Sequence, residues 1–221
     1  QAAALLIELR AENAQALNAL TKITEQLLAE FKQSQLAAIE FSADTARNAA
    51  LWNIRKGTFP AVGAVRETGT TVIIEDVAFP VEKLASAVLE LQALFKKYHY
   101  SEAIIFGHAL AGNLHFVFTQ NFTDPQEVKR YAKFMDDVCL LVVGRYDGSL
   151  KAEHGTGRNT APFVEMEWGK AAYDLMWQIK QAFDPHGILN PDVVLSLNPR
   201  PHIEHLKPIP VAHALIDRCT E

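Results

Sequence analysis

Cysteine is scarce in this chain: there are two in 221 residues, Cys139 and Cys219, far apart. No disulfide framework follows from such a pair, which fits a reducing, cytoplasmic compartment. Cys139 sits in the apolar run DDVCLLVV and reads as a buried core thiol. Basic runs are also missing. The formal net charge is −5 and no Lys/Arg stripe occurs, so nucleic acid is not an expected partner. No apolar run reaches the roughly 18 residues that a membrane span needs. The opening QAAALLIELRAE lacks a basic leading segment and soon becomes charged, so it reads as a strand rather than a signal peptide. There is no low-complexity segment and no internal repeat beyond a loose β-α-β similarity.

What is present is ordinary for a globular protein. Hydrophobic residues make up 49% of the chain and charged ones 21%. The length allows one large domain or two small ones with a real core. After the first strand, ending at Arg10, Leu17, Leu20, Ile23, Leu27 and Leu28 recur at helical spacing and predict an amphipathic helix over 12–31. QLAAIEFS predicts a short strand. Ser42 and Asp44 can then cap a helix that stops at Gly57. Residues 58–69, with Pro and Gly, read as loop. TTVIIEDVAF is the strongest β run, rich in β-branched residues. Pro80 opens a helix whose buried stripe is Leu84, Val88, Leu91 and Phe95. SEAIIFGH and NLHFVFTQ follow as two strands joined by a tight turn. Asp124-Pro125 starts a helix running to about Tyr146.

A polar loop, GSLKAEHGTGRNT, precedes a helix PFVEMEWGKAAYDLMWQIKQAF that stops at the breaker cluster Asp184-Pro185-His186-Gly187. The order is β-α-β-α and then β-α-β-β-α. It predicts an α+β fold: a ferredoxin-like, mostly antiparallel sheet covered by helices on one face. The Pro-rich segment from Ile188 onward is expected to be extended and to wrap the domain.

The stretch GHALAGNLH, from Gly107 to His115, places two imidazoles around a glycine and an asparagine. Side chains alternate along strands. A two-residue turn at Ala111-Gly112 or at Gly112-Asn113 sets His108 and His115 on one face of the hairpin; a three-residue loop would break that parity. Two imidazoles on one face can grip a divalent metal, with a carboxylate or another His as third ligand. Glu153 in KAEHGTGR is the candidate. His154 beside it offers an acid/base group, and Gly155 and Gly157 let backbone come close to a ligand. The plainer alternative for each histidine is a satisfied residue near a strand end.

Together these motifs resemble one family. GHALAGNLH is similar to the Gly-His-x-x-x-Gly-Asn-x-His hairpin of FAD-linked D-2-hydroxy-acid dehydrogenases of the vanillyl-alcohol-oxidase type, which act on D-lactate, glycolate or D-2-hydroxyglutarate. AEHGTG resembles their Glu-His-Gly-x-Gly loop, FDPHGILNP their Asp-Pro-x-x-Ile-Leu-Asn-Pro turn, and LWNIRKGTFPAVG their Leu-Trp-x-x-Arg segment. The likeness runs from about Ala3 to Leu197.

The resemblance implies that His108, His115 and Glu153 hold a divalent metal, zinc or manganese, that binds the substrate hydroxyl and carboxylate. It implies that His154 takes the hydroxyl proton as general base, that hydride passes to FAD, that Arg55 clamps the substrate carboxylate through its planar fork, and that Asn190 approaches the flavin. A solvated helix-end residue is the alternative for Arg55, and a turn-forming Asn before Pro is the alternative for Asn190. The chain departs from the pattern at Leu110-Ala111, where the family often has Gly-Asp, and at Val117, where a polar residue is frequent. TVIIEDVAFP also lacks the lysine of the hydroxyglutarate enzymes. That leaves D-lactate or a similar small acid ahead of hydroxyglutarate and glycolate.

The family binds FAD through an N-terminal domain with a glycine-rich loop that this sequence does not contain. With no initiator Met, the chain is expected to be a fragment: a substrate, or cap, domain over 1–198 and a linker over 199–221. Cys219-Thr220-Glu221 is similar to the start of a Cys-x-x-Cys iron–sulfur motif. The parent would then pass electrons from flavin to iron–sulfur clusters and on to a quinone or cytochrome, in the cytoplasm or peripherally at the inner face of the membrane. A reading of a different class is a non-catalytic α+β module that binds a metal or a partner through its exposed sheet face.

Overall fold

The computed structural model describes residues 3–206, so Cys219 and most of the expected linker lie outside the described residues. The chain divides into two compact units, Gln1–Thr58 and Phe59–Glu221.

The first unit carries two helices with identifiable caps. Helix α1 (Ala14–Ala29) starts where Asn13 Oδ1 accepts the Ala16 N–H at 2.9 Å. Helix α2 (Thr45–Lys56) starts where Asp44 Oδ1 accepts the Arg47 N–H at 2.6 Å, with Ser42 Oγ accepting the Asp44 N–H at 3.0 Å. It stops at Gly57, as its sequence predicts. Neither helix has a buried residue. The two expected strands, over 3–10 and 35–42, join no ladder among the described residues. The physical reason is that an apolar β run is a strand only when a partner satisfies its N–H and C=O groups.

The second unit holds the sheet. Helix α3 (Thr58–Val65) begins at the boundary and replaces an expected loop. Pro60 falls in its first turn, where the missing N–H costs no intrahelical bond. Strand β1 (Thr71–Ala78), helix α4 (Leu84–Lys97), strand β2 (Ile104–His108), strand β3 (Asn113–Gln120) and helix α5 (Pro125–Cys139) follow in the expected β-α-β-β-α order. The three strands form one antiparallel sheet in the order β1-β3-β2. This is the ferredoxin-like α+β arrangement, with helices on one face.

Strand alternation decides what each face carries. Ile73, Val77, Leu114, Phe116 and Phe118 point to the helical side and are buried against Ala87, Leu91 and Phe95 of α4 and Tyr131, Phe134 and Met135 of α5. Each such side chain contributes roughly 1.5–3 kcal/mol of burial. Leu84 and Val88 complete the predicted α4 stripe, half-buried at its edge. Cys139 is fully buried here, and burial pushes its thiol pKa well up. The opposite face carries Ile74, Asp76, His115 and Val117.

Beyond α5 the helix continues as a π-helical turn, Leu140–Arg145. The chain then runs along the free edge of β1, where Ala78 and Ser149 exchange two backbone hydrogen bonds of 2.9 Å. A short helix α6 (Gly157–Thr160) leads to helix α7 (Val164–Phe183). The helix predicted as continuous is kinked at Gly169, whose φ of +74° and ψ of 161° are not helical. Asp184 ends α7 by accepting the N–H groups of Ile188 and Leu189, each at 2.9 Å. From there to Leu206 the chain makes turns, without helix or strand. Arg158 donates to the Pro201 carbonyl at 2.8 Å and His202 is buried against Phe163, which holds this stretch to the unit.

Candidate metal and catalytic site

The hairpin between β2 and β3 has a four-residue loop, Ala109 to Gly112, rather than a two-residue turn. An even-numbered loop keeps the parity, so the histidines share a face. His108 pairs with Asn113 and Phe106 with His115, which places His108 diagonally from His115. The two glycines of the motif serve the backbone. Gly112 has φ +66°, and a Cβ there would be driven into the Phe79 carbonyl. A Cβ at Gly107 would collide with the Asn113 carbonyl.

Glu153 meets both imidazoles. Its Oε1 lies 2.9 Å from His115 Nε2 and 3.6 Å from His108 Nε2. The rings of His108 and His115 are 5.7 Å apart and nearly perpendicular, at 89°. His154 stacks on His115 with centroids 4.7 Å apart and planes within 9°, and its Nε2 is 3.8 Å from Glu153 Oε1. His115 is buried, whereas His108, Glu153 and His154 are exposed. Burial pushes the His115 pKa down, and the neighbouring His154 adds to the effect. His115 is therefore neutral near pH 7, the form that binds a cation.

The donor set fits a divalent metal. Donor atoms of His108, His115 and Glu153 lie within 4.8 Å of one another. Ligands at about 2.1 Å from a four-coordinate ion sit about 3.4 Å apart, so small movements would close the set. Two imidazoles and one carboxylate, with an open side toward solvent, is the composition of a catalytic rather than a closed structural site.

The loop that presents Glu153 and His154 is held by two residues that no sequence motif singles out. Asp76 Oδ2 accepts the backbone N–H groups of Ala152, Glu153 and His154 at 3.1, 2.6 and 3.1 Å. Glu75, on the helical face, takes the Lys151 ammonium and the Asn159 amide, the latter at 2.6 Å. The available signal was two adjacent carboxylates inside an otherwise buried β run, where an unpaired charge is costly. The same structure brings together four of the expected site residues: His108, His115, Glu153 and His154. Arg55 lies in the last turn of α2, in the other unit. Asn190 occupies a turn after α7 with φ +42°. Asn tolerates that conformation better than most residues. Cys219 lies outside the described residues.

An α+β fold with this hairpin and this glycine loop defines the class, and the comparison with known proteins agrees: the chain belongs to the family of FAD linked oxidases, C-terminal domain, whose model matches residues 1–194. The chain is 28% identical to glycolate oxidase subunit GlcD of Bacillus subtilis over 179 residues, 81% of this chain and 37% of that protein. It is 32% identical to D-2-hydroxyglutarate dehydrogenase of Pantoea ananatis over 147 residues, 66% of this chain and 14% of that protein. It is 25% identical to D-lactate dehydrogenase [cytochrome] 1, mitochondrial, of Saccharomyces cerevisiae over 185 residues, 82% of this chain and 31% of that protein. The chain thus spans well under half the length of these relatives. Among the described residues no helix is long and apolar enough to cross a membrane.

Proposed function

We propose that this chain is the substrate-binding half of a flavin-dependent dehydrogenase that oxidises a D-2-hydroxy acid, D-lactate favoured, to the 2-oxo acid. The observation that carries the reading is the convergence of His108, His115 and Glu153 beside His154, in a chain of the FAD linked oxidase family. The named relatives act on glycolate, D-2-hydroxyglutarate and D-lactate, which supports a small 2-hydroxy acid as the class. A second substrate carboxylate would need its own cation. The site face of β1 offers Val72, Ile74, Asp76 and Ala78 and no lysine, which favours the monocarboxylate.

His108, His115 and Glu153 would hold zinc or manganese. Such an ion supplies, when bound, a Lewis acid that lowers the pKa of a substrate hydroxyl. FAD, carried by the rest of the parent protein, supplies the hydride acceptor. His154 receives the hydroxyl proton at Nε2, the nitrogen on the Glu153 side. Its Nδ1 faces Asp76 Oδ1 at 3.8 Å. A carboxylate thus stands ready to favour the imidazolium that forms. With FAD present as the hydride acceptor, oxidation of the substrate would leave its hydroxyl proton on His154. By the family resemblance, Arg55 would be the clamp for the substrate carboxylate through its planar fork, and Asn190 would be a residue that helps hold the flavin. Cys219, outside the described residues, would serve as a first ligand of an iron–sulfur cluster in the parent protein; such a cluster would supply onward electron transfer toward a quinone or cytochrome, and a cytoplasmic location, peripheral at the inner face of the membrane, goes with this reading.

Elemental analysis of the purified chain beside His115→Ala tests this reading. Near-stoichiometric zinc or manganese, lost in the variant, supports it. A parent enzyme that carries FAD and oxidises D-lactate with no divalent metal bound, even after supplementation, overturns it.

A further inference from the structure

The ladder lays the site face out in rows. Asp76, His115 and Phe106 pair across β1, β3 and β2, and the next row along the strands is Ile74, Val117 and Ile104. Paired residues point the same way, so this row shares the face of the donor cluster, about 7 Å further along. Phe106 joins the two rows: its ring lies 5.3 Å from that of His115, at 50°. Val117 is fully buried in the middle of its row, whereas Ile74, Ile104 and Phe106 are half-buried. Ile105 points the other way, into the helical core. An apolar floor beside a few convergent polar groups is the make-up of a small-molecule site.

The far end of this floor is bounded. Val72 and Thr119 form the following row. The Gly63 backbone of α3 comes up against Val72, so closely that a methyl at Gly63 would lie 3.9 Å from Val72 Cγ2. Glu102 Oε1 accepts the Thr119 N–H at 3.2 Å and the Thr119 hydroxyl at 2.9 Å. A second substrate carboxylate sent down the floor would cross uncharged side chains and then meet a like charge, whereas an apolar side chain would leave water for a matching surface.

From this layout we infer that Ile74, Val117, Ile104 and Phe106 form the subsite for the substrate's side chain, and that the substrate class is 2-hydroxy acids whose side chain is apolar and larger than methyl, aliphatic or phenyl. The inference rests on the metal reading, because the cluster of His108, His115 and Glu153 is what would fix the hydroxyl end. Between that cluster and Val72 there is room for a side chain of about four to six carbons. D-lactate is the smallest member of this class, and its single methyl leaves most of the floor uncovered.

Calorimetric titration of the zinc-loaded chain with D-lactate, D-2-hydroxybutyrate, D-2-hydroxy-4-methylpentanoate and D-2-hydroxyglutarate tests it. Affinity should rise with side-chain length, by up to roughly fourfold for each added methylene. The methylpentanoate should then bind about tenfold or more tighter than D-lactate, with hydroxyglutarate the weakest. Ile74→Thr keeps a β-branched strand residue and should remove about threefold or more of that advantage, while zinc content and D-lactate affinity stay within about twofold. Ile104→Thr is the second variant, should the first fail to fold. Equal affinities for D-lactate and the methylpentanoate overturn the inference, as does hydroxyglutarate binding tightest. So does an advantage that survives in both folded variants. A chain that binds zinc but none of the acids overturns it too, and leaves the metal reading standing. The same rise with side-chain length in a chain that takes up no zinc supports the floor as a subsite and counts against the metal reading alone.

Discussion

Glu75 and Asp76 are neighbours in β1, point to opposite faces of the sheet, and grip the same loop. Glu75 takes the side chains of Lys151 and Asn159 near the loop's two ends, and Asp76 takes the backbone of residues 152–154 between them. The geometry is possible because the loop runs along the free edge of β1, beside the Ala78–Ser149 bridge, and so is within reach of both faces.

Removing the cation from this arrangement strands a charge. Glu75 is 3% exposed, and its partner Lys151 has a side chain 14% exposed. Lys151→Met should destabilise the chain by about 3 kcal/mol, the lower end for breaking a buried ion pair. Urea unfolding measures it. A change under about 1 kcal/mol would mean that Glu75 finds another partner or takes up a proton.

The hairpin glycines should resist the smallest substitution. Gly112→Ala must adopt φ near +66° and also pushes a methyl into the Phe79 carbonyl. We expect a loss of roughly 2 kcal/mol or more, together with loss of metal binding. Gly107→Ala isolates the second effect, a clash with the Asn113 carbonyl with no left-handed backbone involved. Thermal unfolding and metal content of both variants are the readouts.

Ligand burial should set the order of metal loss. His115 is buried and His108 exposed, so water can take the place of His108 more easily. His115→Ala should abolish zinc binding, and His108→Ala should weaken it less. Zinc at about 100 times its dissociation constant should stabilise the wild type by about 2.7 kcal/mol. Equal zinc affinities for the two variants would contradict the order.

Acid should loosen the chain near its described end. His202 is buried beside Tyr131 and Phe163, with Asp136, Arg200 and Glu204 as its charged neighbours. Burial lowers its pKa from 6.5. The fold therefore favours neutral His202; this contribution is complete above pH 6.5 and is lost as pH falls toward the folded value. Hydrogen exchange over residues 198–206 should quicken as pH falls from about 7.5 to about 5.5, after correction for the intrinsic exchange rate, and His202→Phe should remove that dependence.

Asp184 responds in a lower range. The Lys180 ammonium and the N–H groups of Ile188 and Leu189 hold its carboxyl down to about 2, from 3.8. Its stabilisation of the α7 end is present above pH 3.8 and lost as pH falls through about 2. Asp184→Asn should remove this acid-dependent step from the unfolding profile.

Much of the site was legible in the sequence because its ligands are chemically unusual where they stand. Imidazoles in a β hairpin and a Glu-His pair among glycines have few structural reasons to be there, and alternation put His108 and His115 on one face for any even-numbered loop. The supporting carboxylates were less legible. Glu75 and Asp76 look like breaks in a β-branched run until their partners, 76 or more residues away in the chain, are brought alongside. The strands expected over 3–10 and 35–42 had the right composition but depend on a partner edge, which no local pattern supplies.

The sequence by itself determined the helix cap at Asp44, the helix start at Asp124-Pro125, the stop at Gly57, the β-α-β-β-α order and the face shared by the two histidines. These follow from local hydrogen bonding and from the fixed periodicities of helix and strand. Tertiary structure alone decided that Glu153 sits 2.9 Å from His115, that His154 stacks on the same ring, and that Asp76 receives three N–H groups from a distant loop. Those contacts join segments separated by dozens of residues, and they exist only because burying the helical face of the sheet fixes where the edge of β1 and the following loop must run.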